Sequence, residues 1–301
     1  MKICLPPGLE EVAMSPRKPA PRNVAATPVQ VIAVTGGKGG TGKTTVAINL
    51  ATALSQSGKR VLLFDGALGL ANVDVLLGLT PRCTIDQVLK GERQLEEILV
   101  TTSTGVRVIP GASGIARLAA AGAPEHAALV RAFGALPEAF DVLIVDTAPG
   151  IVESVLHFSQ AAHEVLVVLR DEPASLTDAY AIIKVLSREH AVKKFRVLVN
   201  MVHANEDGQS LFRRLQRVTD RYLDVQLDHV GDVPDDACLG KAVRTQRTVM
   251  EAYPGSQATR AFKKLAQAAD RWPMPSAPTG RLQFFLERML PRPATRLQVL
   301  Q

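Results

Sequence analysis

Gly37-Lys38-Gly39-Gly40-Thr41-Gly42-Lys43-Thr44 stands between the apolar run Val29-Gln30-Val31-Ile32-Ala33-Val34 and the helix-forming stretch Thr45-Val46-Ala47-Ile48-Asn49-Leu50-Ala51. Glycines set between a buried strand and a helix are the context a phosphate-binding loop requires, and the pattern G-x-x-x-x-G-K-[ST] is complete. A polyphosphate concentrates several negative charges, so many donors must converge on it at short range. Glycines let successive backbone N–H groups turn inward, and the helix N-terminus adds partial positive charge. Gly37, Lys38, Gly39, Gly40, Thr41, Gly42, Lys43, Thr44 and Thr45 are therefore expected to bind nucleotide. Lys43 should reach the β- and γ-phosphates and the Thr44 hydroxyl should hold Mg²⁺. A glycine-rich turn that merely joins strand to helix does not require the whole motif.

Further short apolar runs follow at 61–64, 106–109, 142–145, 165–169, 196–199 and, more weakly, 227–230, separated by amphipathic stretches. Continuously apolar strands alternating with helices predict an α/β protein: a mostly parallel, doubly wound sheet with helices on both faces. Ligands in such sheets bind at the carboxyl ends of the strands, so the polar residues after each run are the ones that matter. Asp65-Gly66-Ala67 follows the second run and Asp146-Thr147-Ala148-Pro149-Gly150 the fourth. Asp146, a carboxylate at the end of an apolar strand, is the expected Mg²⁺ support, acting through water because Mg²⁺ keeps much of its hydration shell. Asn200 ends the sixth run and Val233-Pro234-Asp235-Asp236 follows the seventh. Turn chemistry would explain these equally well, although an Asn amide can both donate to and accept from an adenine edge.

The 301 residues are 47% hydrophobic, enough for one large domain with short appendages. The net charge of +6 belongs to the ends: residues 1–28 contribute +2 and residues 271–301 contribute +4, leaving the centre neutral. A broad nucleic-acid footprint on the domain is not demanded, and DNA is not an expected partner. Cys4, Cys83 and Cys238 form no C-x-x-C pair, which argues against a disulfide framework, zinc or an iron–sulfur cluster and fits a reducing cytoplasm. No run reaches the length of a membrane span, and no signal-peptide core is evident. Three parts are expected: a proline-punctuated flexible arm at 1–28, the nucleotide-binding domain at 29–272, and a proline-rich linker with a short amphipathic helix at 273–301. In that helix Leu282, Phe285, Leu286, Met289 and Leu290 share a face. It could lie on the inner membrane as a peripheral contact, or dock on the core or a partner.

The second lysine of the loop, Lys38 in Lys38-Gly39-Gly40-Thr41-Gly42-Lys43-Thr44, resembles the deviant Walker A motif of the MinD/ParA family of ATPases. The likeness extends over residues 28–290. Within the family it is closest to the regulators of flagellar number, through Leu68-Gly69-Leu70-Ala71-Asn72-Val73-Asp74 and Asp171-Glu172-Pro173-Ala174-Ser175-Leu176-Thr177-Asp178, with further agreement at 218–225, 241–244 and 251–254. This resemblance implies a MinD-like P-loop fold, ATP and Mg²⁺ as cofactors, and a homodimer formed with ATP. It also implies antagonism of a flagellar AAA+ transcriptional activator of the FleQ type. On matching positions Lys38 would cross the dimer to the partner's nucleotide and Lys43 would bind phosphate. Thr44 and Asp146 would hold the metal, Asn200, Pro234 and Asp235 would hold adenine, and Asp178 would lie at the interface near Lys38. A ParA-type ATPase positioning DNA or a protein cargo is the rival reading.

One departure stands out. The family carries Asp-x-Asp after the second strand, and its second Asp positions the attacking water; here the sequence is Asp65-Gly66-Ala67. Ala67 can neither accept a hydrogen bond nor contribute charge, and such groups are worth ~10²–10⁴-fold in rate. ATP hydrolysis is expected to be slow unless Asp65 or a partner residue substitutes, while binding survives. Elsewhere, Arg213, Arg217 and Arg221 recur at four-residue spacing beside Arg214, either a solvated helix face or a surface for a partner or DNA.

Overall fold

The computed structural model describes residues 29–114, 123–136, 139–203 and 207–273, and the expectations for the N-terminal arm and the C-terminal amphipathic helix fall outside them. Runs rich in Val, Ile and Leu form the central strands, buried on both faces, while the last strand is mostly half-buried. The strands are β1 (Gln30–Thr35), β2 (Val61–Gly66), β4 (Arg107–Ile109), β5 (Val142–Thr147), β6 (Glu164–Arg170), β7 (Lys194–Val202) and β8 (Gln226–Pro234), with a two-residue β3 (Val100–Thr101) before β4. The sheet order is β3-β4-β2-β5-β1-β6-β7-β8. All pairs are parallel except β3 with β4. The short antiparallel edge was not evident in the sequence, because two residues carry no periodicity. β8 is longer than its apolar run suggests: Pro234 ends the strand rather than opening a turn, a position an edge strand tolerates because the missing N–H faces no neighbour.

Alternation along the strands divides the core between the two faces. Ile32, Val34, Leu63, Ile144, Leu166, Val168 and Leu198 pack against α1 (Lys43–Gln56) and α11 (Gln257–Ala269). α1 is buried almost continuously from Val46 to Leu54, which is why its sequence is apolar all round rather than amphipathic. α2 (Val73–Leu77), α9 (Ala237–Arg244) and α10 (Val249–Ala252) add residues to this face, while α3 (Ile85–Leu89) and α4 (Leu95–Ile98) pack into the opposite one. On the opposite face Phe64 meets Phe133 of α5 (Ala123–Gly134) and Phe158 of α6 (Glu153–Ala161) edge-on, with ring centroids 5.8 and 5.5 Å apart. Val165, Val167, Leu169, Val197 and Val199 bury against α7 (Pro173–His190) and α8 (Gly208–Tyr222).

At the N-terminal ends of the strands, Arg196 makes a bidentate pair with Glu164 (2.8 and 3.1 Å), donates to Asp228, and lies 5.0 Å from the Trp272 ring centroid. Gln30 Nε2 donates to the Ala269 carbonyl at 2.9 Å, tying the start of β1 to the end of α11. Arg196 and Glu164 are both buried, so removing the cation strands a carboxylate in the interior. Arg196→Met is expected to cost ~3–5 kcal/mol, read as a lowered midpoint in urea denaturation.

Candidate nucleotide-binding site

The loop after β1 is shaped by its glycines at two points. Gly42, the N-cap of α1, has φ 87°, and a Cβ there would collide with the Asn200 amide. A Cβ on Gly37 would collide with the backbone carbonyl of Asp178 in α7. No side chain caps α1 and no acidic residue occupies its first turn, so its leading N–H groups remain available to an anion. Lys43 is 6% exposed and its ammonium donates to the Lys38 carbonyl at 2.8 Å, inside the loop. Burial pushes its pKa down, opposed by the charge of Asp146. A cleft of about 460 Å³ opens beside the loop, lined by Gly39, Gly40, Gly42, Lys43, Thr44 and Thr45 together with Ala67, Thr147 and Pro149.

Asp146 and Asp65 are register partners on β5 and β2, and Asp146 is likewise the register partner of Val34 on β1. Asp146 is 1% exposed and neither carboxylate oxygen has a hydrogen-bond partner. Burial, reinforced by the charge of Asp65, pushes its pKa up to about 8 against the pull of the neighbouring Thr44 hydroxyl and Lys43. A buried carboxylate without a partner beside a hydroxyl supplies hard oxygen ligands of the kind Mg²⁺ takes, and the neighbouring ammonium is suited to a phosphate. The residues present therefore fit Mg²⁺.

Asp65 differs from expectation. Its Oδ1 accepts from Ala67 N–H at 3.2 Å, and its Oδ2 accepts from the N–H groups of Asn72 and Val73, both at 2.9 Å. Both oxygens thus clamp the turn that starts α2. Burial still raises its pKa to about 6, opposed by these three backbone donors. The same turn is held from outside: Gly69 N–H donates to the Ala112 carbonyl at 2.8 Å and Ser113 Oγ to the Ala71 carbonyl at 2.7 Å. Ala67 sits in this turn and lines the cleft, and no carboxylate is among the described residues that line it.

Asn200 lies within β7 rather than at its end, 1% exposed. Its amide N–H donates to the Thr41 carbonyl at 2.8 Å, while its Oδ1 has no partner. That orphaned acceptor is suited to an exocyclic amino group such as that of adenine. Pro234 and Asp235 line a second cavity of about 410 Å³, bounded also by Val202, Cys238 and Arg260. Asp235 N–H donates to the Val202 carbonyl at 2.9 Å, and Val202 is two residues beyond Asn200. The expected site residues from the phosphate loop, β5, β7 and β8 are thus gathered at the C-terminal edge of the sheet.

Lys38 is displaced from the others. Its ammonium turns outward to Glu172 at 3.1 Å, and Arg170 reaches the other oxygen of that carboxylate at 3.2 Å. The Lys38 hydrogen bond, with the Arg170 and Lys38 charges, holds Glu172 below the usual carboxylate range. Glu172 was not singled out from sequence. It belongs to the polar residues following β6, the class of position in which strand-end ligands are found.

An uncapped helix N-terminus, a buried lysine and an unsatisfied carboxylate around one cleft, on a parallel sheet, define a P-loop nucleotide-binding protein. The model of the CobQ/CobB/MinD/ParA nucleotide binding domain matches residues 32–249. The antiactivator FleN of Pseudomonas aeruginosa is 53% identical over 268 residues, 89% of this chain and 96% of FleN. The flagellum site-determining protein YlxH of Helicobacter pylori is 32% identical, over 78% of this chain and 80% of its own. Among solved structures, the cell division ATPase MinD of Pyrococcus furiosus superposes with a TM-score of 0.67 at 27% identity, covering 81% of this chain and 99% of MinD. MinD of Pyrococcus horikoshii, solved with Mg-ADP, gives 0.65 at 26%, covering 81% and 96%. The chain belongs to the CobQ/CobB/MinD/ParA family of nucleotide-binding domains. Among the described residues no helix is long and apolar enough to cross a membrane.

The carboxylate pair makes nucleotide-free stability depend on pH. Raised pKa values mean the folded state keeps protons that the unfolded chain loses above its ordinary value of about 4. Stability therefore falls as pH rises from there, through about 6 for Asp65, to about 8 for Asp146. Asp146→Asn is expected to flatten the upper part of this fall. At pH 8 the nucleotide-free variant should exceed the parent by at least ~1.4 kcal/mol, the worth of one pKa unit, in thermal denaturation followed from pH 5 to pH 9.

Proposed function

We propose that this protein is an ATP- and Mg²⁺-dependent dimerising switch that regulates flagellar number by antagonising a flagellar AAA+ transcriptional activator of the FleQ type, and that it hydrolyses ATP slowly. The observation that carries the regulatory reading is the 53% identity to the antiactivator FleN across 89% of the chain. Slow turnover rests on the alanine methyl at position 67 in the cleft wall.

In this reading the α1 N-terminus and Lys43 bind the phosphates, and Thr44 with Asp146 holds Mg²⁺, which supplies charge neutralisation across the terminal phosphates when bound. Asn200 Oδ1 and the Pro234-Asp235 segment bind the base. Asp65 keeps the turn carrying Ala67 in place rather than acting on water. Dimerisation across the cleft is supported by the apolar surface around it: Leu70, Val75, Ile151 and Val152 are 61, 57, 40 and 43% exposed. Lys38 and Glu172 are both about two-fifths exposed, so solvent screens their pair and it yields readily to a partner's phosphate.

Ala67→Asp is expected to raise steady-state ATP turnover by ~10²-fold or more, with nucleotide affinity little changed; equal, family-typical rates in both proteins would remove the slow-hydrolysis reading. Lys38→Ala should still bind ATP yet remain monomeric in light scattering. A pull-down of the purified activator with and without ATP tests the regulatory role directly, with retention expected only with ATP. Nucleotide-dependent DNA binding combined with undiminished turnover would instead favour the ParA-type reading.

A further inference from the structure

The nucleotide site makes no use of α8. Along its outer face Arg213, Arg217 and Arg221 recur every fourth residue, flanked by Arg214, and all four are exposed. Four residues of helix advance ~6 Å, so the row presents guanidinium groups at that interval over two turns. Arg213, Arg217 and Arg221 form no ion pair among the described residues, and Asp220 is the only carboxylate in the helix. Arg214 leans toward Asp171 at 3.5 Å. The row ends at Tyr222, 55% exposed, with the Arg221 guanidinium 5.4 Å from its ring centroid. Arg188 of α7 donates to the Tyr222 carbonyl at 3.4 Å, adding a further cation at that end.

We propose that this face of α8 is a docking surface for an acidic helix of a partner protein, one presenting carboxylates at four-residue spacing. A facing helix with Glu or Asp at i, i+4 and i+8 repeats the same interval, so each carboxylate meets one guanidinium in fork geometry. Arginine and tyrosine together are the residue types enriched at the centres of protein interfaces. Two features disfavour a nucleic acid. Residues 29–270 carry as many acidic as basic side chains, so no wide positive field surrounds the row. A single row of three or four cations also falls short of the ~6–10 phosphate contacts of a typical duplex binder. The proposal stands apart from the antiactivator reading, because it depends only on the charge pattern of α8.

The test uses the full chain and three probes: a helical alanine-based peptide with glutamates at i, i+4 and i+8, the same composition with glutamates clustered out of register, and duplex DNA. Binding of the in-register peptide is expected to be salt-sensitive and at least tenfold tighter than that of the clustered one. The double variant Arg213→Glu, Arg217→Glu should lose at least tenfold in that affinity while ATP affinity and melting temperature stay unchanged. Equal binding of the two peptides, undiminished binding by the variant, or tighter binding to DNA than to the in-register peptide would overturn the proposal. A matching pull-down with the flagellar activator separates the two ideas: peptide discrimination without activator capture rejects the antiactivator reading and leaves the acidic-helix surface in place.

Discussion

The arrangement depends on one unfavourable placement, the Asp146 carboxylate in the centre of the sheet with no hydrogen bond to either oxygen. A group in that position is tolerated when its environment is completed by something the chain does not carry. Central strands put it there: β5 lies between β1 and β2, so Asp146 is carried to the carboxyl edge beside the phosphate loop. Lys43, itself buried and shifted toward neutrality, is the nearest compensating charge. Buried side chains, aliphatic with a few aromatic rings, cover both faces of the sheet, and in that setting Asp146 keeps its proton to about pH 8.

Around that centre the chain divides its polar groups into two sets. Some are saturated and structural: Asp65 with three backbone donors, and Arg196 with two carboxylates and an indole. Others are left open: both oxygens of Asp146, Oδ1 of Asn200 and the leading N–H groups of α1. The saturated set holds the backbone and the open set marks where a ligand must supply partners. Asp65 and Asp146 are equivalent by sequence position and register, yet fall on opposite sides of this division because the turn 67–73 folds back onto one of them and not the other.

That distinction also marks the limit of what could be read from sequence. Strands built from continuous Val, Ile and Leu, the glycine loop, and the strand-terminal position of Asp146 were legible because each is a local pattern. The fold class and the gathering of loop, Asp146 and Asn200 at one edge followed from the rule that strand ends meet there. The clamp on Asp65 was not legible, because its donors come from a turn whose path no periodicity specifies. The pairing of Lys38 with Glu172 joins residues 134 apart in sequence through the adjacency of β1 and β6, which the run order alone does not reveal. Pro234 follows the seventh apolar run, where turn chemistry is one reading, whereas the edge position of β8 accommodates it as the last residue of the strand.

The contacts that bind Gln30 to Ala269 and Trp272 to Arg196 lie at the amino ends of the strands, the pole opposite the glycine loop. Residues 29 and 273 are consequently anchored near one another and about a strand's length, ~20 Å, from the cleft. By sequence, residues 1–28 carry a net charge of +2 and residues 274–301 of +3, whereas residues 29–273 carry only +1. Entry and exit of the described chain thus share one pole, and the exposed apolar side chains around the cleft, Leu70, Val75, Ile151 and Val152, occupy the other.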